Sequence, residues 1–203
     1  MKTIITFWVL LLTTFSATAA TPSNEEQLQE MIFQALYHDP ASPRIGATSP
    51  KLTLISFTDY NCPYCKKFDP MLEKIVEKYP DVAVVFKLLP FRGESSSLAS
   101  RVALTTWREH PQQFLALHQS LMSKKGNHTA GTIDAAVAKS GATPLKPDEL
   151  SQETLNLNLQ LARVVGVEGT PATLVGDTLL AGAVPWESLD QLVKEKREQA
   201  NEK

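Results

Sequence analysis

The sequence predicts an α/β fold in which a βαβ unit and a β-hairpin-plus-helix unit are separated by an inserted helical block. A β-rich run at residues 51–58 and an apolar run at 82–89 flank a segment whose apolar residues recur at three- and four-residue spacing. From 95 to about 142 every apolar pattern is helical. Further on, a Gly176-Asp177 pair divides two short apolar runs, a hairpin signal, ahead of a last helical stretch.

Leu28, Met31, Ile32, Ala35 and Leu36 give residues 24–37 the spacing of a short amphipathic helix, with Ser23 or Asn24 as cap and Glu25 and Glu26 in the first turn. Pro40, Pro43 and Pro50 break it and make a loop, so that a compact domain starts near residue 50. Residues 51–58 read as a strand bounded by Pro50 and by Asp59-Tyr60-Asn61. Cys62 follows at once. Phe68, Met71, Leu72, Ile75, Val76 and Tyr79 then set a helix, and Pro63 suits its first turn, where the missing N–H would be unpaired in any case. Residues 82–89, closed by Pro90, form a second, largely buried strand and complete the βαβ unit. His110-Pro111 and residues 124–128 divide the helical block into 97–109, 111–122 and 132–140, and a fourth helix covers 147–165. Strands at 172–175 and 179–183 flank the Gly176-Asp177 turn, and 186–198 is the final helix.

The first twenty residues have a separate logic. Lys2 precedes an apolar run from Ile4 to Leu12, followed by the small residues Ser16-Ala17-Thr18-Ala19-Ala20. That is the pattern of a secretory signal, and the run is too short for the ~20 apolar residues that cross a bilayer. Cleavage is expected after Ala19 or Ala20, with export to the periplasm. The organisation is therefore 1–20 signal peptide, 21–49 N-terminal helix and linker, 50–94 with 147–203 as the core fold, and 95–146 as an inserted helical subdomain. Charge points to no partner class. The 20 basic and 22 acidic residues of the 203, formal net charge −2, are spread evenly, with no basic stripe for nucleic acid.

Cys62 and Cys65 are the sequence's two cysteines, in Cys62-Pro63-Tyr64-Cys65. Exported proteins use disulfides as staples, but a bridge closing so short a loop removes little unfolded-state entropy, so the use of this pair is chemical. At a helix start, unpaired backbone N–H groups and the positive end of the helix dipole favour a thiolate, which makes Cys62 acidic and reactive toward disulfides. Cys65, one turn in, is expected to be more buried and to resolve the mixed disulfide. Zinc would need four ligands, and neither a second Cys-x-x-Cys nor the spacing of His38, His110, His118 and His128 supplies them. Cu(I), which soft thiolates select, stays open at Cys62 and Cys65. Thr170-Pro171, between the fourth helix and a strand, suggests an edge or loop because proline cannot donate to a sheet ladder.

The run Phe57-Thr58-Asp59-Tyr60-Asn61-Cys62-Pro63-Tyr64-Cys65-Lys66-Lys67-Phe68, with Val167-Glu168-Gly169-Thr170-Pro171-Ala172 about a hundred residues later, resembles the thioredoxin superfamily, in particular its DsbA-like branch and within it the suppressor-of-copper-sensitivity C group. The resemblance covers essentially the whole mature chain. It implies a thioredoxin fold with a helical insertion between the βαβ and ββα halves, and thiol–disulfide exchange at Cys62 and Cys65 with Pro63 and Tyr64 tuning the potential. It also implies a cis Thr170–Pro171 bond facing the cysteines, where backbone near Thr170 pairs with an extended substrate. The partners implied are protein thiols and disulfides and a membrane redox partner; no dissociable cofactor is required, and a link to copper tolerance follows from the group. A Cu(I)-sequestering protein or a non-catalytic thioredoxin-fold binding module is the alternative. Asp69, seven residues after Cys62, matches an acidic position of DsbA-like proteins but reads first as a surface helix carboxylate. Ser56 stands where thioredoxin-like proteins place a carboxylate. Lys87 reads as a strand-end lysine reaching solvent, and the histidines and Trp107 as surface or core residues. The short stretch before the first strand favours a monomer.

Overall fold

The computed structural model describes residues 23–200. The export segment read at residues 1–20 lies outside the described residues. Helix α1, Asn24–Tyr37, opens on a capping box: the Ser23 hydroxyl accepts from the Glu26 amide, and the Glu26 carboxylate accepts from the Ser23 amide. Strand β1, Arg44–Gly46, lies in what the sequence suggested was loop. It is only three residues long, too short for any periodic signal, and it pairs antiparallel with the edge of β3, Val82–Leu88. Strand β2 is Leu52–Thr58 and helix α2 is Pro63–Lys78.

The helical block comprises α3, Glu94–Glu109, α4, Phe114–Ser123, and α5, Ala130–Ser140, with a single 3₁₀ turn at Pro111–Gln113. Helix α6, Glu149–Val164, leads back to the sheet. Strand β4, Ala172–Val175, and strand β5, Thr178–Ala181, form the expected hairpin. Gly176, at φ +62°, takes the first central position of the turn, where a type II′ geometry calls for glycine. Helix α7, Trp186–Ala200, closes the fold.

The sheet order is β1-β3-β2-β4-β5, with β2 and β3 parallel and every other pair antiparallel. This is the thioredoxin fold with a helical insertion. Alternation along β2 and β3 divides the core in two. Leu52, Leu54, Val82, Val84, Phe86 and Leu88 face α2, α7 and the inserted helices, whereas Ile55, Phe57 and Val85 face α1 and α6. Helix α2 runs unbroken through Pro70, a residue that costs about 3 kcal/mol inside a helix. Its buried stripe of Cys65, Phe68, Leu72 and Ile75 against the sheet supplies the offset.

Lys87 corrects the sequence reading. Its side chain is fully buried on the α1 face of β3, where Nζ donates to the Ala35 carbonyl at 2.6 Å and the Ser42 hydroxyl at 2.7 Å and lies 3.4 Å from Asp39 Oδ2. A charge buried on this face of β3 has no route to solvent, and these partners replace its hydration. It ties α1 and the loop after it to the sheet.

Candidate active site

Strand β2 delivers the chain to the end of the sheet at Thr58, and a tight turn hands it to α2: the Cys62 amide donates to the Asp59 carbonyl at 3.0 Å. Cys62 is the N-cap of α2 with Pro63 at the first helical position, as the sequence suggests. Both cysteines are free thiols, 2 % and 1 % exposed, while Pro63 and Tyr64 project outward, Tyr64 at 59 %. Across the gap the Thr170–Pro171 peptide bond is cis, and the Thr170 carbonyl lies 3.3 Å from Cys62 Sγ. Thus the cysteines and the distant Thr170-Pro171 meet in one place. Of the edge or loop that Pro171 suggested, the structure has the loop. Pro171 immediately precedes β4, which sits between β2 and β5, so the proline falls just outside the ladder.

The two thiols are driven apart electrostatically. Cys62 is lowered to about 5, chiefly by the hydrogen bond from Cys65, with the Cys65 and Tyr64 amides and Thr170 adding to it against an opposing effect of burial. Cys65 is pushed well above the ordinary thiol range by burial and by the same Cys62 contact, which Thr58, Asp59 and Thr170 only partly offset. At neutral pH one sulfur is a thiolate and its neighbour a thiol hydrogen-bonded to it.

A second set of residues fixes this geometry, two of which, Asp59 and Asn61, read in the sequence as the boundary of a strand. Asp59 is fully buried. Oδ1 accepts from the Asn61 amide at 2.7 Å and from the Ser96 hydroxyl; Oδ2 accepts from the Phe91 and Arg92 amides at 2.8 and 3.1 Å. Asn61, just before the nucleophile position, donates from Nδ2 to the Arg92 carbonyl and the Ser95 hydroxyl, and its Oδ1 accepts from the His128 amide at 2.7 Å. Lys66 Nζ donates to the Lys124 and Gly126 carbonyls at 2.6 and 2.7 Å. Only the Asp59–Asn61 spacing, that of an Asx turn, was readable in advance.

Asp69 is corrected as well, and of the two places allowed for the histidines His118 takes the core. Asp69 is 2 % exposed, not a surface carboxylate, and His118 is fully buried against Phe86 and Phe114. Tyr60 OH lies 2.8 Å from His118 Nδ1, and His118 Nε2 lies 2.8 Å from Asp69 Oδ2. Burial, reinforced by the Asp69 charge, raises the Tyr60 hydroxyl well above its ordinary value. The hydroxyl therefore keeps its proton. The chain of three sits against the helix that carries Cys65.

Residues 53–194 match the DSBA-like thioredoxin domain. The chain belongs to that family. A periplasmic thioredoxin-like protein from Salmonella enterica serovar Typhimurium is 64 % identical, with a TM-score of 0.83 over 88 % of this chain and 99 % of that one. The catalytic domain of Proteus mirabilis ScsC is 53 % identical, with a TM-score of 0.81 over 85 % of this chain and 98 % of that one. Disulfide bond formation protein D of Bacillus subtilis is 26 % identical over 169 residues, 75 % of each protein. This DsbA-like protein is a thiol–disulfide oxidoreductase.

Proposed function

We propose that the chain works as an exported, periplasmic disulfide donor to protein substrates, with Cys62 forming the mixed disulfide and Cys65 as the thiol released when it forms, the group that resolves it in the reverse direction. The observation that carries this reading is the asymmetry of the thiols, Cys62 at about 5 beside a Cys65 held protonated. In the disulfide form a substrate thiolate attacks Cys62 Sγ, the Cys62–Cys65 bond breaks, and Cys65 leaves and takes up a proton. A second substrate thiolate then attacks the substrate sulfur of the mixed disulfide and expels Cys62 as a stable thiolate. Two electrons have passed from substrate to the pair, and a membrane partner reoxidises it. A low leaving-group pKa speeds that last step, and a stabilised reduced form makes a strong oxidant.

Thr170 and Pro171 line an open depression of about 240 Å³ with Val167, Leu179, Ala181 and Gly182, which suits an extended substrate strand laid beside residue 170. Pro63 and Tyr64, exposed at the rim, adjust the potential. The export segment in the sequence and the periplasmic relative from Salmonella support the compartment. Ile32, Ala35 and Leu36 of α1 pack on the chain's own second core, which supports a monomer; a stable trimer in light scattering would contradict it. The copper link rests on the same sulfurs, since a thiolate beside a thiol offers two soft donors to Cu(I). Competition with a Cu(I) chelator, in parallel with the exchange assay, measures that second reading.

Cysteine variants test the main one. Cys65→Ala is expected to accumulate mixed disulfides with reduced, unfolded protein substrates once Cys62 is activated, and Cys62→Ala to form none and to lose refolding activity. Trapping through Cys65 in the Cys62→Ala protein would overturn the assignment.

A further inference from the structure

A second open depression, of about 620 Å³, lies beside the cysteines between the turn that follows β3 and the α4–α5 loop, lined by Phe91, Arg92, Gly93, Asn127, Gly169 and Thr170. Its size is that of an ordinary small-ligand site. It meets the active site at Thr170, whose carbonyl lies 3.3 Å from Cys62 Sγ.

Its two walls are both tied to the residue before Cys62. Asn61 holds one through the Arg92 carbonyl and the Ser95 hydroxyl and the other through the His128 amide. Asp59 adds the Phe91 and Arg92 amides, and Lys66 straps the α4–α5 loop through the Lys124 and Gly126 carbonyls. Most hydrogen bonds of this scaffold fix backbone, so the depression is held at a set distance from the sulfur.

The wall residues present two free features to an incoming chain. The Phe91 side chain is 48 % exposed, and the Arg92 guanidinium has no hydrogen-bond or ion-pair partner among the described residues. Arg92 is the one charged residue among those that line the depression, and the buried Asp59 carboxylate is sealed from the surface by its four donors.

We propose that this depression is a substrate subsite that receives an acidic side chain flanking the target cysteine, with Arg92 as the group that reads it and Phe91 as the apolar floor beside it. The inference rests on the thiol-exchange reading. A guanidinium fork matches a carboxylate in two parallel hydrogen bonds, and an unpaired one at a rim attracts acidic chains and repels basic ones as they approach.

The test uses the reduced mature protein and synthetic peptides that carry a single cysteine as its 2-thiopyridyl disulfide, identical except for Glu, Gln or Lys at the positions flanking it. Attack by Cys62 forms the peptide–Cys62 disulfide and releases 2-thiopyridone, whose absorbance gives the rate. The rates are expected to rank Glu over Gln over Lys, with each step about two- to fivefold at low salt and smaller at high salt. Comparing peptides within one protein cancels any general change in Cys62 reactivity. Arg92→Gln is expected to level the ratios and Arg92→Glu to invert them. Equal rates for the Glu and Lys peptides in the wild type, or a preference that survives Arg92→Gln, would overturn the subsite alone. No release from any peptide would overturn the thiol-exchange reading and the subsite with it.

Discussion

Cys62 gains its acidity from groups within one helical turn and from the side chain of Thr170: the Cys65 thiol, the amides of residues 64 and 65, and a loop residue far along the chain. Alkylation by iodoacetamide should therefore follow a titration with its midpoint near pH 5 and be flat by pH 7. A midpoint near the ordinary thiol value of about 8.5 would contradict it. The same shift couples redox state to stability. Because the folded-state value is depressed, its contribution to the reduced form is complete above the unfolded value and is lost as pH falls through about 5. Urea titrations should accordingly find the dithiol form more stable than the disulfide form at pH 7, with the gap closing below pH 5. A gap independent of pH would remove Cys62 as its source.

At the scale of elements, α2 is held to the insertion by Tyr60, His118 and Asp69, which bridge the turn before α2, the helix itself and α4. His118→Ala would strand a buried carboxylate and a buried hydroxyl, a loss of about 3–5 kcal/mol that equilibrium unfolding can read. A change under 1 kcal/mol would mean that water replaces the ring without cost. The chemistry-bearing motifs were legible because their signals are local: a Cys-x-x-Cys at a helix start and a Thr-Pro before a strand each state their geometry within a few residues. Partners were not. His118 is 49 residues from Asp69, and Asn61 is 67 from His128, and nothing in either segment's periodicity refers to the other. Strand β1 was illegible for a different reason, since its three residues follow Pro43 and take their conformation from the edge of β3.

Over the whole molecule, one apolar cluster runs from the sheet through α2 into the inserted helices, joining Leu54, Phe68 and Phe86 to Phe114, Leu121 and Ile133. We propose on this basis that the insertion and the two halves of the core fold unfold as one unit. Far-UV circular dichroism and the fluorescence of Trp107 and Trp186 should then lose their native signals at the same urea concentration. Two separated transitions would make the insertion an independent subdomain. That shared core keeps the Asp59–Asn61 scaffold, the α2 start and the Thr170-Pro171 loop in register, and so keeps Cys62 a stable leaving group. The most direct measurement is the reduction potential of the Cys62–Cys65 pair, equilibrated with glutathione at pH 7. A value nearer the −120 mV or so of strongly oxidising thiol pairs than the roughly −270 mV of thioredoxin is predicted. A value at or below that of thioredoxin would contradict a disulfide donor.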